Sequence, residues 1–236
     1  LGVIGLLGTG CGRSGGKDHA EWNDWFIDIG VNSRAEAEAL GIGAGSRAIW
    51  NPPTRRIGKH ITGKAMDDRA ALAIATEAGR RLAGRDDLAY EVWLASTIQE
   101  ENGLLGAASL QDEETFDMGI ALDVGLTGDI PGVDERDFPC KLGHGPIVVY
   151  QDVTGQYSRK FSDRLIATAR RNGIAVQRAV FQNYGSDGAS LIRRGVECAL
   201  LTYPTRYTHS PIETVNEDDL EAAVAVLVAF ATEGQS

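Results

Sequence analysis

Two pairs of adjacent acidic residues, one separate aspartate and one histidine carry most of the chemistry this sequence can offer. Asp67-Asp68 opens an apolar-periodic run, and Glu100-Glu101 follows Thr97-Ile-Gln99. Asp123 closes Ile120-Ala-Leu122, and His209 comes shortly after Leu201-Thr-Tyr203. Carboxylate oxygens and an imidazole nitrogen together suit Zn²⁺, Co²⁺ or Mn²⁺. Each residue taken singly has an ordinary reading. A paired aspartate caps a helix, adjacent glutamates are solvated, and a lone aspartate or histidine is a loop residue. Four such placements at the ends of successive elements weigh against coincidence. Neighbouring side chains in extended backbone point to different sides, so one glutamate can bind a cation while the other addresses a water beside it. An aspartate fixed at a helix start can bridge two ions about 3.5–4 Å apart.

The elements that must hold these residues follow from periodicity. Beyond residue 62, strands are expected at 90–98, 118–124, 147–152, 175–181 and 198–203. They alternate with helices at 68–82, 103–110, 158–171, 189–194 and 217–232. Alternation of this kind predicts an α/β fold, a three-layer sandwich around a mainly parallel central sheet. In such sheets the acting groups gather past the carboxyl ends of the strands, where the carboxylates and His209 fall. On the first helix Leu72, Ala75, Ala78, Gly79 and Leu82 form the expected inward stripe, and on the third Leu165, Ile166 and Ala169 do. Residues 1–61 read differently, as a small β-rich domain beside a larger one at 62–236. It has strand-like runs at 3–7, 25–29 and 46–50 and a glycine-rich loop at 8–18. Ser33 and Glu36 make a capping box for one short helix, with Gly41 as its stop.

Composition narrows the partners. The 236 residues carry 33 acidic against 23 basic side chains, a net charge of −10. That field repels phosphate backbones and anionic lipid, so neither nucleic acid nor a membrane surface is expected as a partner. No apolar run approaches the roughly 18 residues that span a bilayer. Cys11, Cys140 and Cys198 are widely separated and form no CxxC pair. This excludes a thiolate zinc cluster, argues against a disulfide framework and points to a cytoplasmic location. The sequence begins without Met on what reads as a strand already under way, and an N-terminal part is expected to precede it.

Four motifs occur in order: Gly63-Lys-Ala-Met-Asp-Asp-Arg69; Gln99-Glu-Glu-Asn-Gly103 with Gly106-Ala107; Ala121-Leu-Asp-Val124 with Gly128-Asp-Ile-Pro131; and Tyr207-Thr-His-Ser-Pro-Ile-Glu213. The set resembles the TET-type (tetrahedral) aminopeptidases. These are dinuclear metallopeptidases that include glutamyl and deblocking enzymes and some named endoglucanases. Phe26-Ile-Asp-Ile-Gly30 with residues 33–40 is similar to that family's inserted β-rich dimerisation domain. The resemblance implies two divalent ions, zinc or cobalt, with Asp67 bridging them. Glu101 and His209 would complete one site, and Asp123 would serve the other. Glu100 would be the general base for the water between the ions, and Asp68 would orient a neighbouring ligand. Ser186 and Asp187, in Gly185-Ser-Asp-Gly188, and His144, in Leu142-Gly-His-Gly145, become candidates for substrate contact.

The implied partners are short peptide substrates and further copies of the chain, in a homo-oligomer that is typically a dodecamer. One departure stands out. The family carries a further ligand histidine in a His-x-Asp motif on an early strand, and residues 1–236 contain none. His19 follows a glycine-rich loop and does not match it. The second ion is therefore expected to be weakly held, or its site empty. Two other readings use the same residues: a related dinuclear deacylase or carboxypeptidase, and a non-catalytic, truncated scaffold that only assembles.

Overall fold

The chain divides into two units, Leu1–Ile49 and Trp50–Ser236, and the computed structural model describes residues 1–6 and 22–233 of them. The expected loop at 8–18, Cys11 and His19 lie outside the described residues.

In the smaller unit, β1 (Val3–Leu6) pairs antiparallel with β2 (Trp25–Asp28), Val3 lying opposite Asp28. The single short helix α1 (Arg34–Ala39) starts as its sequence predicts. The Glu36 N–H donates to Ser33 Oγ at 3.2 Å, and Glu36 Oε2 accepts from the Asn32 N–H at 2.9 Å. Gly41, at φ +76°, takes the left-handed turn that ends it. Residues 46–50 form no ladder, so the third expected strand is absent among the described residues. A two-stranded ribbon has no second layer of its own. Trp25, Phe26 and Ile27 accordingly stay about half exposed.

The larger unit is built from β3 (Arg55–Ile57), β4 (His60–Gly63), α2 (Met66–Leu82), α3 (Leu110–Glu113), β5 (Met118–Leu126) and β6 (Ile147–Gln151). It continues with α4 (Arg159–Arg171), β7 (Gln177–Val180), α5 (Gly188–Arg193), β8 (Glu197–Arg206), β9 (Glu213–Asn216) and α6 (Glu217–Glu233). Its strands form one sheet in the order β3-β4-β9-β8-β6-β7, with β5 joined to β8. The α/β class holds, but the sheet is mixed. Only β5/β8 and β6/β7 run parallel among the described pairs. The antiparallel pairs are β6/β8 and those made by β3, β4 and β9, three- and four-residue strands too short and polar to announce themselves. They also place the expected boundary at 61/62 inside β4, whereas the units divide after Ile49.

Strand β8 is the spine. Ala199, Leu201 and Tyr203 point to the layer of α2, α4 and α6, while Cys198 and Leu200 point to the face covered by α5 and Phe181. Leu165, Ile166 and Ala169 of α4 are buried as expected. On α2 the buried stripe is Ala70, Ala71, Ile74, Ala78 and Leu82, and Leu72 is 48% exposed. At about 100° per residue, Leu72 sits some 200° from Ala70, on the far side of the helix. Residues 90–98 exchange no ladder bonds among the described residues, although their sequence predicts a strand. They border a cavity of about 540 Å³ shared with Phe116, Met118 and the apolar sides of α2 and α6.

Candidate metal centre

The site stands at one end of the sheet, within the larger unit. Asp67 and Asp68 follow β4, where Ala65 is left-handed (φ +47°) and neither aspartate takes helical angles, so regular α2 starts after them. Glu100 and Glu101 lie in a tight turn in which Gln99 (φ +57°) and Leu104 (φ +61°) are left-handed. The Leu104 N–H donates to Glu100 O at 2.8 Å, and the Gly106 N–H to Ile98 O at 2.9 Å. Asp123 comes from β5, opposite Thr202 of β8 and on the face away from Leu122 and Val124. His209 sits between β8 and β9 at φ +63°. All five non-glycine residues with left-handed φ among those described fall in segments that carry this site. Backbone of this kind persists only where its surroundings over-determine it.

The expected ligands converge. His209 Nε2 lies 3.2 Å from Asp67 Oδ2 and 3.4 Å from Glu101 Oε2. Asp67, Glu101 and His209 bring one donor each within 4.8 Å of one another, and so do Asp67, Asp68 and Asp123. Asp67 belongs to both groups, as a bridging ligand must. Asp68, expected only to orient a ligand, thus stands close enough to share a cation with Asp67 and Asp123. A cleft of about 470 Å³ is lined by Asp67, Glu100, Glu101, Asp123, Tyr184 and His209.

Crowding carboxyl groups out of water raises their affinity for protons. Burial, then the charges of Glu101 and Glu213, push Asp67 up to about 6, while His209 opposes them. Burial pushes Asp68 up to about 8 against the opposing Tyr203 hydroxyl. Burial and neighbouring Glu101 take Glu100 up to about 7. Asp123, only 6% exposed, is raised well above the carboxylate range by burial. The Tyr203 hydroxyl is 2.7 Å from Met66 O and also within hydrogen-bond reach of Asp68 Oδ1. It has a single proton to donate, so when Met66 O takes it, the Asp68 contact requires a proton on the carboxyl group. These residues fit divalent cations. They supply a mixed oxygen–nitrogen triad beside an all-oxygen one, and a buried Asp123 whose charge a cation would offset.

Not every expected site residue lines the cleft. Gly185 does, but Ser186 is buried behind it, and Asp187 is half-buried, near enough for its charge to raise Glu100. Asp187 Oδ2 accepts from the Thr97 hydroxyl, and Oδ1 is enclosed without a partner. His144 is exposed beside the start of α6, near Asp219, whose carboxylate accepts the Gly143 and Gly145 N–H groups at 2.7 Å each. Sequence reasoning quoted Glu213 at the end of a motif but gave it no part. Its carboxylate receives the N–H of Asp67 and the N–H of His209, each at 2.9 Å. The available signal was an acidic residue four positions after the histidine.

The sequence pattern of the family described as M42 glutamyl aminopeptidase matches residues 1–226. A lysyl aminopeptidase of Pyrococcus furiosus is 28% identical over 240 residues, covering 98% of this chain and 66% of that protein. The structure of an aminopeptidase from Desulfurococcus kamchatkensis superposes with a TM-score of 0.90 at 30% identity, over 99% of this chain and 65% of the other. The TET1 peptidase of Pyrococcus horikoshii gives 0.86 at 31% identity, over 98% and 68%. It is described as assembling into a tetrahedron or a large octahedral shell and, in another structure, as a dodecamer. The chain spans about 60% of the length of the first curated relatives it matches.

Proposed function

The chain belongs to the M42 glutamyl aminopeptidase family, and from that premise we propose that it carries the catalytic centre of a cation-dependent aminopeptidase that removes N-terminal residues from short peptides. The observation that supports this most is the meeting of Asp67, Glu101 and His209, with Asp67 shared by a second triad.

Divalent ions bound there would polarise the scissile carbonyl and acidify the attacking water. The chain's own residues do the rest. Asp67, Glu101 and His209 would hold one ion, and Asp67 and Asp123 a second, with Asp68 beside that pair. Glu100 takes the proton of the attacking water and returns it to the leaving amine. Burial beside Glu101 lifts its carboxyl towards 7, matched to both halves of that transfer. Zinc or cobalt suits the mixed triad.

The same proposal extends to assembly and location. The small unit, with its half-exposed Trp25, Phe26 and Ile27, is the element through which copies associate. The assembly is a closed homo-oligomer, a dodecamer as described for the P. horikoshii peptidase. Cys140 and Cys198, buried without a disulfide, accord with a cytoplasmic protein. Among the described residues no helix is long and apolar enough to cross a membrane.

The test is Glu100→Gln in the protein loaded with Co²⁺ or Zn²⁺. Turnover of aminoacyl anilides should fall by about 10²–10⁴-fold, the usual worth of a general base, while metal content per chain stays unchanged. Near-normal turnover would remove Glu100 from this role. Cleavage of N-acyl amino acids in preference to free-amino substrates would replace the aminopeptidase reading with the deacylase one.

A further inference from the structure

We propose that Glu213 is the positioning residue of the cation site, its buried carboxylate locking Asp67 and His209 into ligating register by accepting one backbone N–H from each. This rests on the cation-binding reading above.

The clamp follows from the sheet. Strands β4 and β9 are antiparallel neighbours, and their last pair is Gly63 with Glu213. Asp67 lies four residues beyond Gly63, and His209 lies four residues before Glu213. Both arms therefore leave the ladder at the same end and must be held beyond it without strand pairing. Their backbones are not regular there. Ala65, Tyr207 and His209 are left-handed, and Asp67 has ψ 100° inside what is otherwise the first turn of α2. Glu213 closes both arms at once. Oε2 accepts from the Asp67 N–H and Oε1 from the His209 N–H, at 2.9 Å each, and the residue is 2% exposed.

The chemistry calls for a carboxylate. Two donors converge on one planar group, and only a carboxylate offers an acceptor to each. Glutamine has the same shape but one oxygen, and its NH₂ would face the second N–H donor. Among the described residues Glu213 has no basic side-chain partner. Groups that orient ligands in this way commonly set metal affinity.

The experiment is Co²⁺ titration, followed by visible absorption, of the wild-type protein and Glu213→Gln. The Gln variant should bind Co²⁺ at the Asp67–Glu101–His209 site about 10–100-fold more weakly, with altered bands, reflecting loosened ligands. It should also lose kcat more than KM on an aminoacyl anilide. An unchanged Co²⁺ dissociation constant and spectrum, even with a lower melting temperature in EDTA, would mean a merely structural carboxylate and would overturn the proposal. A wild-type protein that takes up no Co²⁺ would overturn the cation reading itself, a different result from equal binding by both proteins. Amide exchange in the wild type serves if the variant does not fold. Slow exchange at both Asp67 and His209, slower still with Co²⁺, supports the clamp, and rapid exchange at either overturns it.

Discussion

Loading the second triad should release protons, and the number can be worked from the carboxyl groups themselves. Asp68 is held up to about 8, one unit above neutral pH, so at pH 7 it is about nine-tenths protonated. Asp123 is raised well above its usual range by burial. Asp67, at about 6, is about one-tenth protonated at pH 7 and half protonated at pH 6. A cation entering between the three needs ionised oxygens and so displaces about one proton from Asp68 near neutrality, with any that Asp123 holds in addition. The apparent affinity for that cation should then tighten at least about tenfold between pH 6 and pH 7, one factor of ten for each proton displaced. Calorimetric titration with Co²⁺ in two non-coordinating buffers of different ionisation enthalpy measures the number directly, as the buffer-dependent part of the heat. An affinity flat across that pH unit, with heats that do not depend on the buffer, would refute the reasoning. The carboxyl groups would then already be ionised in the cation-free protein.

Two further outcomes follow from the same structure. In the cation-free protein Asp67 and Asp68 bind protons more tightly folded than unfolded, since their pKa values rise from 3.8 to about 6 and about 8. The folded state therefore holds more protons between roughly pH 4 and 8, and the stability these groups lend is present below that window and is lost as pH rises through it. Melting temperatures in EDTA at pH 5.5 and 7.5 should show the decline, saturating Co²⁺ should remove most of it, and a higher melting point at pH 7.5 in EDTA would contradict it. In the core, Leu165→Ala removes a side chain with no exposed surface and should cost about 2–5 kcal/mol, whereas Leu72→Ala, on the exposed side of α2, should stay within about 0.5 kcal/mol. Urea unfolding of the two variants checks the contrast, and equal losses would put Leu72 back in the buried stripe.

How much of this was legible in the sequence depends on what each feature needs. The ligand candidates Asp67, Glu101, Asp123 and His209 could be read because each sets a metal-binding chemistry beside an apolar run, and the structure brings them together, although Asp123 lies inside β5 and Glu101 follows no strand among the described residues. The longer helices of the larger unit were legible from their period, although on α2 the stripe was displaced towards Leu72, and the helix expected at 103–110 is turn as far as Gly106 with helical residues only at 107–113. On α2 alanines carry the packing, and an apolar leucine outweighs them in a pattern count. The strands β3, β4 and β9 were missed because they have three or four residues and owe their place to pairing with one another. Residues 90–98 show the converse. Their composition suits a strand, but a ladder needs a neighbour, and none is found among the described residues. Ser186 and Asp187 were placed by a glycine-rich segment that resembles one of the family's, and His144 by its loop. Such surroundings say that a loop is tight, not which way its side chains turn.

Glu213 was illegible for a deeper reason. Its one local signal, an acidic residue four positions after the histidine, does not reveal its part, which depends on Gly63 lying opposite it and on two backbone amides arriving from separate arms. Considered with its neighbours, it also explains why the site is costly to the fold. Five left-handed non-glycine residues, each costing of order 1 kcal/mol, lie in the segments that carry the ligands. The carboxyl groups they deliver are raised by mutual repulsion and burial. A chain under pressure only to fold would relax such a cluster by replacing one carboxyl group or freeing one turn. That the ladder end, the buried Glu213 and the strained turns instead keep Asp67, Glu101 and His209 within 4.8 Å of each other is what a bound cation would justify. The same arrangement predicts where the energy returns: the cation should stiffen these arms, 65–68, 97–105 and 207–213, before it stabilises anything else.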